Sequence, residues 1–153
     1  MKDPQLSTYD HALLLLNQRE HSCSEVRHKL KSKGHSDELI TKVIEELTTL
    51  NYLNDERFAE VYIRSKANRG FGPNRLYQEL HQKGLAGEVI KSALNSAEID
   101  WFEAARELKL SKFGSSPAED FKQKSKQMRH LQYKGFNYEQ IQYALSSTLD
   151  NND

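Results

Sequence analysis

The chain has 153 residues, 37% hydrophobic and 29% charged, with only three prolines and seven glycines and a net charge of zero. That mixture favours packed helices over disorder or a loop-rich fold. No apolar run approaches the roughly 20 residues that span a bilayer, the N-terminus makes a poor signal peptide, and the lone Cys23 rules out an internal disulfide, so the chain reads as cytoplasmic.

The elements follow from periodicity and capping signals. A first helix is expected over about Tyr9 to Arg19, and Ser22-x-x-Glu25 is a capping box for a second that ends at Gly34. Ser36, followed by Asp37 and Glu38, opens a third. Asn54 can cap a helix from Asp55 to about Asn68, which Gly70-Phe71-Gly72 breaks, and Pro73 suits the first turn of the next because its missing N–H has no helical partner there. Ala86-Gly87 is a weaker start. Trp101 to Phe113 forms a further helix, Gly114-Ser115-Ser116-Pro117 ends it, and Asn137 with Gln140 signals the start of the last.

These elements repeat. Leu-x-x-Lys-Gly occurs at Leu30 to Gly34, Leu80 to Gly84 and Leu131 to Gly135, so the glycines are 50 and 51 residues apart. Six residues past each glycine stands Ile40, Ile90 or Ile141, and ten past it Ile44, Leu94 or Leu145, which is one helical face. Glycine after a helix takes the left-handed conformation without a Cβ penalty, and the preceding lysine suits the negative helix end. The expectation is an all-α chain of three tandem three-helix units, 1–51, 52–98 and 99–153, forming an elongated, curved helical-repeat array. Units of about 50 residues bury little apolar surface alone, so neighbours should pack on one another. The anchor leucines, isoleucines and glycines belong to structure, and Tyr52, Phe58 and Tyr62 are expected in the core.

Chemistry is sparse. The chain has no phosphate loop, no Gly-x-Gly-x-x-Gly, no His-Glu-x-x-His and no Gly-x-Ser-x-Gly, so no catalytic residue is assigned and an enzyme is not expected. His21, Cys23 and His28 lie close in sequence, but no second pair follows at a spacing that would complete a zinc site, so no metal or other cofactor is expected. Charge is segregated despite the neutral total. Between Phe121 and Tyr138 stand Lys122, Lys124, Lys126, Arg129 and Lys134 and no acid, while Glu45, Glu46, Asp55, Glu56 and Glu60 form an acidic stretch.

Tyr52-Leu53-Asn54-Asp55-Glu56-Arg57-Phe58-Ala59 and Gly72-Pro73-x-Arg75-Leu76-x-x-Glu79-Leu80-x-x-Lys83-Gly84 resemble the RecX family. The first unit agrees in Ser22-x-Ser24-Glu25-Val26-Arg27-x-Lys29-Leu30 and the third in Arg129-x-Leu131-x-x-x-Gly135-Phe136, with Tyr133-Lys134-Gly135 in place of the usual Arg-Arg-Gly or Lys-Arg-Gly. The resemblance covers nearly the whole chain. It implies three tandem three-helix units and a regulatory protein that binds the RecA recombinase filament on single-stranded DNA, lodges in its groove, and suppresses ATP hydrolysis, strand exchange and coprotease activity.

Two groups of cations are candidates for the binding surface: Arg57, Arg64, Lys66, Arg69 and Arg75 in the middle unit, and Lys122, Lys124, Lys126, Arg129 and Lys134 in the last. They would face acidic recombinase patches or DNA phosphate, with weak contact to single- or double-stranded DNA and a monomeric chain expected. Two other functions fit the same pattern: a direct DNA-binding helical module, since three-helix units resemble helix-turn-helix folds, and a helical-repeat adaptor for another protein.

Overall fold

The computed structural model describes residues 6–146. They form helices joined by short turns, with no strand among the described residues: α1 (Thr8–Gln18), α2 (Cys23–Ser32), α3 (Asp37–Thr49), α4 (Asp55–Ala67), α5 (Pro73–Gln82), α6 (Gly87–Ser96), α7 (Trp101–Phe113), α8 (Phe121–Lys134) and α9 (Tyr138–Ser146). The expected starts hold. Ser22 Oγ accepts from the Glu25 amide while the Glu25 carboxylate accepts from the Ser22 amide, closing the capping box. Asn54 accepts from the Arg57 amide, and Asn137 and Gln140 cap each other reciprocally at α9. Each such cap is worth about 1 kcal/mol because it satisfies amides the helix itself leaves open.

All three anchor glycines are left-handed, with φ of 92° at Gly34, 89° at Gly84 and 109° at Gly135. Asn51 and Glu98 also have positive φ, 64° and 55°. Asn51 carries the chain out of α3 so that Leu53, not Tyr52, turns inward. Tyr52 is 55% exposed and Leu53 1%, which corrects the expectation that Tyr52 lies in the core. Phe58 is buried as expected, and Tyr62 is half-buried.

The chain divides into two compact bodies, Met1–Ala59 with Leu80–Ile90 and Glu60–Glu79 with Lys91–Asp153. In the first, α1, α2 and α3 pack on one another around Ala12, Leu15, Val26, Leu30, Ile40, Val43, Leu47 and Leu53. The second unit's anchor turn docks on the start of α2: Ser22 Oγ donates to the Lys83 carbonyl at 3.1 Å, and a Cβ on Gly84 would fall 2.4 Å from the Ser24 side chain. In the second body, α7 packs against α9 and α8 around Ala105, Leu131, Phe136, Ile141 and Ala144. The third unit's anchor turn docks on the start of α5 in the same manner. Gly72 N–H donates to the Lys134 carbonyl at 2.7 Å and Asn74 N–H to the Gly135 carbonyl at 2.9 Å.

Lys109 and His21 are buried with partners, whereas Gln127 Oε1 and His130 Nε2 are buried without a hydrogen-bond partner among the described residues. Lys109 is fully buried and donates to the carbonyls of Gly114 and Ser116 at 2.7 and 2.9 Å, tying down the turn after α7, while burial lowers its pKa. His21 is also buried, with Nδ1 on the Arg19 carbonyl at 2.9 Å and Nε2 receiving Lys29 Nζ at 3.2 Å. A lysine donor at Nε2 requires the neutral ring. Burial lowers the His21 pKa, aided by the charges of Arg19 and Lys29 and opposed by the carbonyl bond.

His11, bonded to His35, is lowered by burial and by the charges of His35 and Lys33, and His130 by burial and by Lys112 and Lys134. For all three the unfolded chain takes up protons at a higher pH than the folded one. Stability is therefore full above the ordinary value of 6.5 and falls as pH drops through it. The melting temperature should decline between about pH 7.5 and pH 5.5, and His21→Phe should flatten that decline; a profile level across that range in the intact chain would contradict the assignment.

Candidate partner-binding surface

Arg57 is engaged within the chain. Its Nε donates to both carboxylate oxygens of Glu20 at 3.1 and 3.0 Å, and its two terminal nitrogens donate to the carbonyls of Asn51 and Tyr52 at 3.0 Å each. The guanidinium thus fastens the turn before α4 to the end of α1, and no lysine can reproduce that planar fork. Arg57→Ala is expected to cost about 1–2 kcal/mol in thermal or urea denaturation, with Arg57→Lys recovering little of it.

Arg64 is exposed on α4 and Arg69 exposed in the turn that follows it. The structure gathers three of the remaining candidates around one side chain that the sequence marks only as a helix break. Phe71 sits in the α4–α5 turn; Lys134 Nζ lies 4.1 Å from its ring centre, Arg75 Cζ 4.5 Å and Lys66 Nζ 5.2 Å. Cations over an aromatic face gain about 0.5–1 kcal/mol at such half-exposed sites. Lys66 comes from the end of α4, Arg75 from the first turn of α5, and Lys134 from the end of α8, which the Gly72–Lys134 backbone bond holds in place.

Glu79 orders this cluster. Arg75 Nε donates to one of its oxygens at 2.9 Å and Tyr62 Oη to the other. Burial pushes the Glu79 carboxyl up, but the bonds from Tyr62 and Arg75 outweigh it and hold it below the ordinary carboxylate range. Arg75 also lies 4.9 Å from the ring centre of Tyr133, which is 71% exposed.

From Tyr133 the surface runs along α8. Lys122, Lys126, Arg129 and Tyr133 are spaced four, three and four residues apart, which places them on one stripe of the helix with rises of about 6, 4.5 and 6 Å. All four are exposed, as is Lys124 on another face, and the four cations of this group make no ion pair among the described residues. Phe121, at the start of the same helix, is 83% exposed. Basic residues interleaved with exposed aromatics form a surface suited to a polyanion or an acidic protein face.

Family models match along most of the chain. That of the first RecX three-helix domain matches residues 9–47, the second 54–94 and the third 98–145. The chain belongs to the RecX family. Among RecX relatives, the regulatory protein RecX of Vibrio cholerae serotype O1 is 45% identical over 137 residues, 90% of each chain. That of Halorhodospira halophila is 39% identical over 144 residues, covering 94% of this chain and 89% of its own. The crystal structure of RecX from Lactobacillus salivarius superposes with a TM-score of 0.77 at 24% identity, over 94% of this chain and 93% of that one, and so shares the fold. The relatives are named regulatory proteins, and no helix among the described residues of this RecX chain is long and apolar enough to cross a membrane.

Proposed function

We propose that this RecX chain is a cytoplasmic, non-enzymatic regulator that binds the RecA recombinase filament on single-stranded DNA as a monomer and inhibits its ATPase, strand-exchange and coprotease activities. The observation that carries the reading is the basic stripe of α8, continued through Tyr133 into the Lys66, Arg75 and Lys134 cluster, on a chain whose relatives are regulatory proteins. Acidic recombinase patches complement such a surface, and charge complementarity of this kind sets encounter rate and register. The proposed contacts are Lys122, Lys124, Lys126 and Arg129 on α8, with Lys66, Arg75 and Lys134 beside them and exposed Arg64 and Arg69 at the margin.

The test is recombinase ATP hydrolysis on single-stranded DNA with the protein titrated in. Inhibition at amounts well below one per recombinase subunit is expected. No effect, with DNA coating excluded as a confounder, would overturn the reading and leave a helical adaptor for another protein.

A further inference from the structure

The fold joins two histidines that stand 24 residues apart in the chain. His11 lies on α1 and His35 in the turn between α2 and α3, both half-buried and both within the first body. His11 Nδ1 is 3.1 Å from His35 Nε2, and the ring centres are 5.3 Å apart with their planes inclined by 62°. The remaining nitrogen of His35, Nδ1, lies 2.8 Å from the hydroxyl of Thr8, a buried residue at the start of α1. With His35 Nδ1–H donating to Thr8, the lone pair of Nε2 faces His11, and one proton, carried on His11 Nδ1, fills the gap between the rings.

A metal ion can take the place of that proton. Nitrogens 3.1 Å apart and each about 2.0–2.1 Å from an ion subtend about 100° at it, between the square-planar and tetrahedral angles. The rings must swing for both lone pairs to converge, which gives up the N–H···N bond in exchange for two metal–nitrogen bonds. The hydroxyl of Thr8 on the far side of His35 is the outer partner that a ligating imidazole ordinarily has, holding Nε2 as the free donor. Burial, together with the charges of His35 and Lys33, lowers the His11 pKa, so the ring is neutral at pH 7, the form that ligates. Lys33 opposes any cation there as well. The histidines and cysteine that are close in sequence do not form such a pair: both ring nitrogens of His21 are engaged, by the Arg19 carbonyl and Lys29, and burial and Asp55 push the Cys23 thiol up, away from the ligating thiolate.

We propose that His11 and His35 form a two-histidine site for a divalent late first-row transition metal, Zn2+ or more tightly Cu2+, that clips α1 to the α2–α3 turn. Among the described residues no third His, Cys, Asp or Glu completes a larger cluster, so water fills the other coordination positions. In the neutral pair the displaced proton passes through solvent to His11 Nε2, so binding releases no net proton. A protonated pair must lose one.

The probe is Zn2+ alone, titrated into the intact, untagged, chelator-treated chain while the ring nitrogens are followed by long-range proton–nitrogen NMR. His11 Nδ1 and His35 Nε2 should shift together and saturate at one ion per chain, with the rings of His21 and His28 unmoved, and Cu2+ should displace the Zn2+. Affinity should fall at least tenfold from about pH 7.5 to about pH 5.5 as protons compete for the rings. His11→Gln and His35→Gln should each weaken binding at least tenfold and remove the rise in melting temperature that Zn2+ gives the intact chain, whereas His28→Gln, at an exposed position of α2, should change neither. The intact-chain spectrum stands even if a variant folds poorly. Unmoved His11 and His35 signals at millimolar Zn2+ would overturn the proposal, as would small shifts spread over all six histidines, or binding that survives both site variants and so belongs elsewhere on the chain.

Discussion

Gly72→Ala is expected to lower stability by about 3 kcal/mol or more, and the melting temperature by about 10 °C, whereas Gly34→Ala should cost about 1–2 kcal/mol. The difference lies in what the new methyl meets. At Gly72 a Cβ would stand 2.6 Å from the Gly135 carbonyl carbon, 2.7 Å from its oxygen and 2.8 Å from the Phe136 nitrogen. All three are backbone atoms, fixed by the Gly72–Lys134 and Asn74–Gly135 hydrogen bonds, so neither segment of the junction can yield without breaking them. At Gly34 nothing lies within 4 Å, and the cost is only that of a left-handed φ of 92°. Because Gly72 holds Lys134 beside Phe71, the same substitution should also weaken binding by the basic cluster. A Gly72→Ala protein that melts no lower than Gly34→Ala would mean that the two helix ends do not approach this closely.

The repeat makes the helices and the left-handed turns readable, since Gly34, Gly84 and Gly135 are spaced by one unit length and each ends a helix whose leucine, Leu30, Leu80 or Leu131, is fully buried. Binding residues are less readable, because a charge in a sequence carries no address. Arg57 and Arg75 look alike as arginines near the starts of α4 and α5, yet the first bonds Glu20 and the carbonyls of Asn51 and Tyr52 while the second, bonded to Glu79, lies over two aromatic rings. Phe71 reads in the sequence as part of a break between glycines. A signal for it exists in the repeat itself, where Phe71 takes the place of buried His21 and Arg75 that of Glu25, so that two positions in one junction change character together. Tyr52 escapes the pattern for a backbone reason: the positive φ at Asn51 reverses the register of the next residues, and an aromatic in a sequence does not announce such a turn.

Combined replacement of Lys122, Lys124, Lys126 and Arg129 by alanine should weaken recombinase inhibition at least tenfold, about 1.4 kcal/mol in binding, without lowering the melting temperature. The second half of that expectation follows from where α8 begins. Asp120 caps it, accepting from the Gln123 amide at 2.8 Å, and Lys122 and Lys124 then stand in its first turns with no acid among them. The amides there carry the positive end of the helix dipole, so each cation costs a few tenths to about 1 kcal/mol instead of contributing. Alanine removes that cost and raises helix propensity slightly. Since all four side chains are exposed and unpaired with any acid among the described residues, nothing in the core is lost with them. Cations that pair with no neighbouring acid, two of them opposed by the helix dipole, are best accounted for by what they meet from outside. Unchanged inhibition together with an unchanged or higher melting temperature would remove α8 from the partner surface and leave the Phe71 cluster to act alone.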